Sequence, residues 1–156
     1  MKAKVYVETT MVSYLASSPS RDLVVAAHQQ ITREWWERRD RFELFVSQAV
    51  VEEAARGDVA AAARRATVLR GIPVLELAAE VHEFANQLVR TRIVPAKASI
   101  DALHIAVAVV NRVDYLVTWN CVHIANAAIR TNIERVCRSA GLQAPVICTP
   151  EELMED

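Results

Sequence analysis

Short runs rich in β-branched and aromatic residues alternate along this chain with longer stretches of helical periodicity. That alternation restricts the fold more than any single motif. Strands are expected at residues 4–7 ("KVYV"), 42–47 ("FELFVS"), 72–77 ("IPVLEL"), 114–118 ("DYLVT") and 145–148 ("PVIC"). Between them "RDLVVAAHQQITREWWERR" is long and amphipathic, with Leu23, Ala26, Ala27, Gln30, Ile31 and Glu34 roughly stacked at helical spacing. "QAVVEEAAR" and "DVAAAARRATVLR" run to Gly57 and Gly71, each a suitable left-handed stop. "AAEVHEFANQLVRT" ends before Pro95, and "IDALHIAVAVVN" precedes the fourth run. Strands alternating with helices imply an α/β chain with a mainly parallel sheet.

The length of 156 residues suits one domain, residues 1–156, with a sizeable buried core. With 53% hydrophobic and 24% charged residues the composition is that of a soluble globular protein. A formal charge of −1 gives no overall pull towards nucleic acid, so such a partner needs a local basic surface. Cys121, Cys137 and Cys148 are odd in number and lack paired short spacing, which reads as reduced thiols in a cytoplasmic protein. "MKAKVYVETT" has no apolar signal-peptide core, and "IAVAVV" is too short to cross a bilayer, so no membrane association is expected. In "TPEEL", Thr149 caps, Pro150 takes the first helical position and Glu152 closes a capping box, which makes the terminal acids structural.

Ligands of open parallel sheets bind beyond the carboxyl ends of the strands, where strand order reverses. Glu8 ends the first strand, Asn120 follows the fourth, Asp101 opens the helix before it, and Glu53 lies in the helix after the second. Of the neighbours Glu52 and Glu53, Glu52 has Arg56 at i+4 and fits a surface ion pair. Glu53 borders the apolar stripe of Ala49 and Val50, where a carboxylate wants a cation or strong donor. With Ser99 as N-cap, Asp101 falls in the first helical turn, which fits either dipole stabilisation or an inward-facing ligand. His104, three residues on, is either a hydrogen-bonded core residue or an auxiliary to a metal or phosphate. His123 and Cys121 resemble half a zinc site that no second pair completes, and His28 and His82 carry no signal.

Oxygen-only ligands suit a hard cation, Mg²⁺ or Mn²⁺, which also relieves the repulsion among crowded carboxylates. Such a cluster supports phosphodiester hydrolysis by an activated water. No Ser-His-Asp pattern, Walker loop or dinucleotide fingerprint offers a rival chemistry.

Taken in order, "VYVETTMVSYL", "EAARG", "DALHIA" and "LVTWN" resemble the PIN-domain ribonucleases, most closely the VapC-type toxins of toxin–antitoxin pairs. The resemblance spans nearly the whole chain. It implies a three-layer PIN-like fold and a metal-dependent endoribonuclease with Glu8, Glu53 and Asp101 at the acidic metal positions. Asn120 then stands at a fourth position that is often aspartate, and Thr9 and Thr118 border the site. A homodimer, a cognate antitoxin and an RNA substrate are implied as well. Two departures bear on activity: Glu8 is one methylene longer than the usual aspartate, and Asn120 removes a charge. They leave open a second reading, a non-catalytic PIN-like module that binds RNA or protein.

Cations to hold RNA phosphates are available in Arg38, Arg39 and Arg41, in Arg64 and Arg65, and in Arg90 and Arg92. Each cluster also fits a solvated helix face. Trp35 and Trp36 suit core packing, with base stacking the alternative.

Overall fold

The computed structural model describes residues 1–154. Strand β1 (Ala3–Val7) leads into helices α1 (Thr9–Ala16) and α2 (Leu23–Glu37). Strand β2 (Phe42–Ser47) is followed by α3 (Gln48–Ala54) and α4 (Val59–Leu69), and β3 (Val74–Leu75) by α5 (Ala79–Arg90) and α6 (Ser99–Val110). Then come β4 (Tyr115–Val117), α7 (Ala127–Ser139) and β5 (Val146–Cys148). Short 3-10 turns occupy Arg39–Arg41, Ala96–Ala98 and Pro150–Leu153.

The strands form one five-stranded sheet in the order β3-β2-β1-β4-β5, and every pairing is parallel. The chain builds outward from β1 through β2 to β3, then returns across the sheet so that β4 lies on the other side of β1. Strand order therefore reverses between β1 and β4. In register, Val5 faces Leu44 on one side and Tyr115 on the other. Val5, Tyr6 and Val7 are all fully buried, as a central parallel strand covered on both faces requires.

Helix α6 packs on α5, and its stretch Ile105–Val109 is buried on every side. A mostly apolar helix of this kind has no solvent face, so the polar residues it carries are set into the protein. The expected five strands all form. The third shrinks to Val74 and Leu75 at the sheet edge. There Pro73 has no N–H to offer and contributes only its carbonyl, to Val46 N at 3.0 Å.

Helices α1 and α7 did not stand out by periodicity. "TTMVSYLA" opens with two β-branched residues, and α7 buries only Ile133 and Cys137 completely on an otherwise polar cylinder. The α2 segment stops at Glu37, two residues sooner than expected, with its start fixed by Asp22 accepting from Val24 N and Val25 N. Helix α6 begins at Ser99, but Ala98 is its N-cap, so Ser99 is the first helical residue and provides no cap. The capping box of Thr149 and Glu152 is present, on a 3-10 turn. Gly57 and Gly71 both hold positive φ, at 84° and 78°.

Candidate active site at the switch point

Glu8 follows β1 directly and N-caps α1, with Oε2 accepting from Thr10 N at 2.9 Å. Its other oxygen, Oε1, accepts from Thr10 Oγ1 at 2.7 Å and from Thr118 Oγ1 at 2.6 Å. Both hydroxyls are already acceptors: Thr10 Oγ1 takes Trp119 N at 2.9 Å and Thr118 Oγ1 takes Asn120 N at 2.9 Å. Their own hydrogens are therefore aimed at Glu8. The backbone repeats the linkage, with Glu8 N donating to Val117 O at 3.1 Å. Glu8 thus ties β1 to the far side of the switch point, and it is only 3% exposed.

Glu53 stands on α3 and is held through one oxygen. Its Oε1 accepts from Thr9 Oγ1 at 2.6 Å and from His104 Nε2 at 2.5 Å. Burial acts to raise the Glu53 carboxyl. The hydrogen bond and field of the His104 ring, the Thr9 hydroxyl and the Arg56 charge outweigh it and leave the group below its ordinary 4.5. Behind His104, Nδ1 meets Tyr6 OH at 2.7 Å, and Tyr6 OH meets Ser47 Oγ at 2.7 Å.

Asp101 lies in the first turn of α6, with Oδ2 at 3.2 Å from His123 Nδ1. Asn120 turns its carboxamide oxygen back on its own loop and accepts His123 N at 3.0 Å. Its side-chain NH₂ has no partner among the described residues. Beside the site the Trp119 indole stacks on His28, with ring centroids 3.9 Å apart and planes 11° from parallel. Trp119 Nε1 donates to Thr32 Oγ1 at 2.7 Å.

No protein-family model matches the sequence, and no curated protein does. Solved structures do resemble it. VapC20 of Mycobacterium tuberculosis, a sarcin-ricin loop cleaving toxin, superposes with a TM-score of 0.56 at 19% identity, over 72% of this chain and 86% of that one. A chain of VapBC2 from Rickettsia felis, solved bound to a DNA fragment from its promoter, gives 0.60 at 12% identity over 94% and 98%. The fold is that of the VapC toxins.

Within this PIN-like fold, Glu8, Thr118 and Asn120 are joined by one set of hydrogen bonds, Glu53, Thr9 and His104 by a second, and Asp101 by His123 to Asn120. The expected closure of Glu8, Glu53 and Asp101 around a single point is not formed. Among the described residues no three His, Cys, Asp or Glu side chains come near enough to hold one ion. Thr10 and Thr118 hold Glu8, while Thr9 and His104 hold Glu53.

In donor type the site still fits a hard cation. Among the described residues neither Glu53 Oε2 nor Asp101 Oδ1 has a hydrogen-bond partner, and Glu8 Oε2 has one. Among the described residues none of the three carboxylates has a lysine or arginine within 4.0 Å, and the ion pairs at Glu53 and Asp101 are to His104 and His123. Mg²⁺ commonly takes only one or two carboxylates and keeps several waters, so it does not require all three acids to converge.

The sequence gives no sign of the roles of Tyr6, Ser47 and Thr10, and it presents His123 only as half of an incomplete zinc site rather than as the partner of Asp101. Their partners lie 41 residues away for Tyr6–Ser47 and 22 for Asp101–His123, and no spacing rule links such pairs. Thr10 was visible as the companion of Thr9. The Glu52–Arg56 pair does not form; Arg56 acts through space on Glu53 instead. Burial raises the Cys137 thiol and, with Glu152 adding to it, pushes Cys148 up to about 12, so neither buried thiol is an activated nucleophile.

Proposed function

We propose that this chain is a metal-dependent endoribonuclease of the VapC kind, a toxin restrained by a cognate antitoxin. The observation that carries the reading is the set of three carboxylates at the switch point, none of which has a lysine or arginine within 4.0 Å among the described residues. Buried or half-buried acids so arranged call for a positive ligand. Glu53 and Asp101 would hold Mg²⁺ or Mn²⁺ through the oxygens that have no donor among the described residues, with Glu8 adding charge and one remaining lone-pair direction on Oε2. Once bound, the ion would lower the pKa of a water and stabilise charge on the phosphate.

The protein's own groups then have distinct tasks. Thr9 and His104 fix the Glu53 rotamer, and His123 fixes Asp101. Asn120 turns its unpaired NH₂ to donate to a phosphate oxygen. Thr118 shapes the turn that presents it. No helix among the described residues is long and apolar enough to cross a membrane. A protein antitoxin is inferred from the VapBC2 likeness, and a homodimer from the family pattern; co-purification and light scattering test both.

RNA cleavage assays with Mg²⁺ or Mn²⁺ test the enzymatic reading. Asp101→Asn and Glu53→Gln should each lower the rate by about 100-fold or more, since even outer-shell changes cost roughly 10–100-fold. Activity equal to wild type in both would end it. The three hydrogen bonds already held by Glu8, and the Asn120 oxygen turned back on its own loop, favour the second reading, a non-catalytic module. That reading requires calorimetry to find no saturable Mn²⁺ binding.

A further inference from the structure

Five polar side chains form one unbroken hydrogen-bonded line behind the candidate site: Ser47, Tyr6, His104, Glu53 and Thr9. They come from the end of β2, from β1, α6, α3 and α1. Ser47, Tyr6 and His104 are fully buried, and the line opens to solvent mainly at Glu53, whose side chain is 27% exposed. A core needs none of this. Phe or Leu at these positions would fill the volume without desolvating hydroxyls and an imidazole.

The hydrogens have one consistent arrangement. Ser47 Oγ accepts Ala49 N at 3.2 Å as the cap of α3, and gives its own hydrogen to Tyr6 O. Tyr6 then donates to His104 Nδ1, which leaves Nδ1 bare and the ring hydrogen on Nε2. Nε2–H donates to Glu53 Oε1, where Thr9 adds a second donor. Reversing the line strands the Ser47 hydroxyl hydrogen, which has no other acceptor among the described residues, in a fully buried place.

We propose that Tyr6 and Ser47 are positioning residues for Glu53, acting through the tautomer of His104. The line loads both donors onto Oε1 and leaves Oε2 bare, so Glu53 offers one oxygen in one fixed orientation to a divalent cation. This rests on Glu53 being a cation ligand, as proposed above.

Tyr6→Phe removes one oxygen and no volume. ¹⁵N-labelled histidine spectra of the full chain read the tautomer of His104, and calorimetry with Mn²⁺ alone reads the ligand. The wild type should show a bare Nδ1 and a protonated Nε2. Tyr6→Phe should shift both nitrogens and weaken Mn²⁺ binding by about 10–100-fold, the usual range for an outer-shell partner. His104→Gln, whose amide reaches Oε1, should retain more Mn²⁺ affinity than His104→Phe; if Tyr6→Phe does not fold, this pair decides the question. A folded Tyr6→Phe with Mn²⁺ affinity within twofold of wild type overturns the proposal, whatever its spectrum. Equal affinities for the Gln and Phe variants overturn it too. If the wild type binds no Mn²⁺, the proposed function falls, and the positioning claim is then judged on the His104 nitrogens alone: an Nδ1-protonated ring refutes it.

Discussion

Replacing Thr118 with valine keeps the shape of the side chain and removes one hydroxyl, which in this structure has two bonds. As donor it serves Glu8 Oε1 at 2.6 Å, and as acceptor it serves Asn120 N at 2.9 Å, with the residue fully buried. A hydrogen bond to a charged group contributes about 1.5–3 kcal/mol, and an orphaned amide costs roughly another 1 kcal/mol. Thr118→Val should therefore lose about 2.5–4 kcal/mol, a large share of the roughly 5–15 kcal/mol that holds a domain together. At about 2–4 °C per kcal/mol for chains near this size, Tm should fall by roughly 5–15 °C. Thr118→Ser keeps the hydroxyl, loses a methyl and should cost only about 1 kcal/mol. Urea unfolding of wild type, both variants, Glu8→Gln and the Glu8→Gln/Thr118→Val double mutant measures the coupling directly, with about 1.5–3 kcal/mol expected. Equal stability of the Val and Ser variants, or additive single losses in the cycle, would refute the clamp.

Glu53 sits below its ordinary 4.5 in the folded chain, so its contribution to stability is present above that pH and lost as pH falls through the folded value. Glu53→Gln should accordingly flatten the acid side of the curve of urea midpoint against pH. His123→Ala frees Asp101 Oδ2 and should weaken Mn²⁺ binding about 10-fold by calorimetry, with the melting temperature little changed. Gly57→Ala meets open space but must hold φ near +84°, so a loss of about 1–2 kcal/mol is expected with RNA cleavage unaltered.

The layering and the strands were legible because strands are written in β-branched and aromatic residues, as "KVYV" is at the buried centre of the sheet and "FELFVS" is even where β2 is only partly buried. Glu53 was legible for a similar reason, as an acid on the apolar side of its helix. What was hidden is contact between distant segments. Nothing in "VYVETT" says that Tyr6 will reach Ser47 and His104, because a tyrosine in a strand reads as core whether or not its hydroxyl finds a partner. His123 was likewise masked: its partner Asp101 is brought close only when the loop after β4 folds back on Asn120. Helix α7 was missed because it buries so narrow a stripe that its polar residues dominate the pattern.

The central place of β1 sets the order in which the molecule can assemble. One of its edges is closed early by β2, but the other waits for Tyr115–Val117, which arrives late in synthesis. Until then a growing chain exposes a flat apolar ribbon edge that invites sticking to its neighbours. Truncation anywhere ahead of Tyr115 should yield insoluble material rather than a smaller working unit, and Glu8 gains its Thr118 partner only once that late segment has docked.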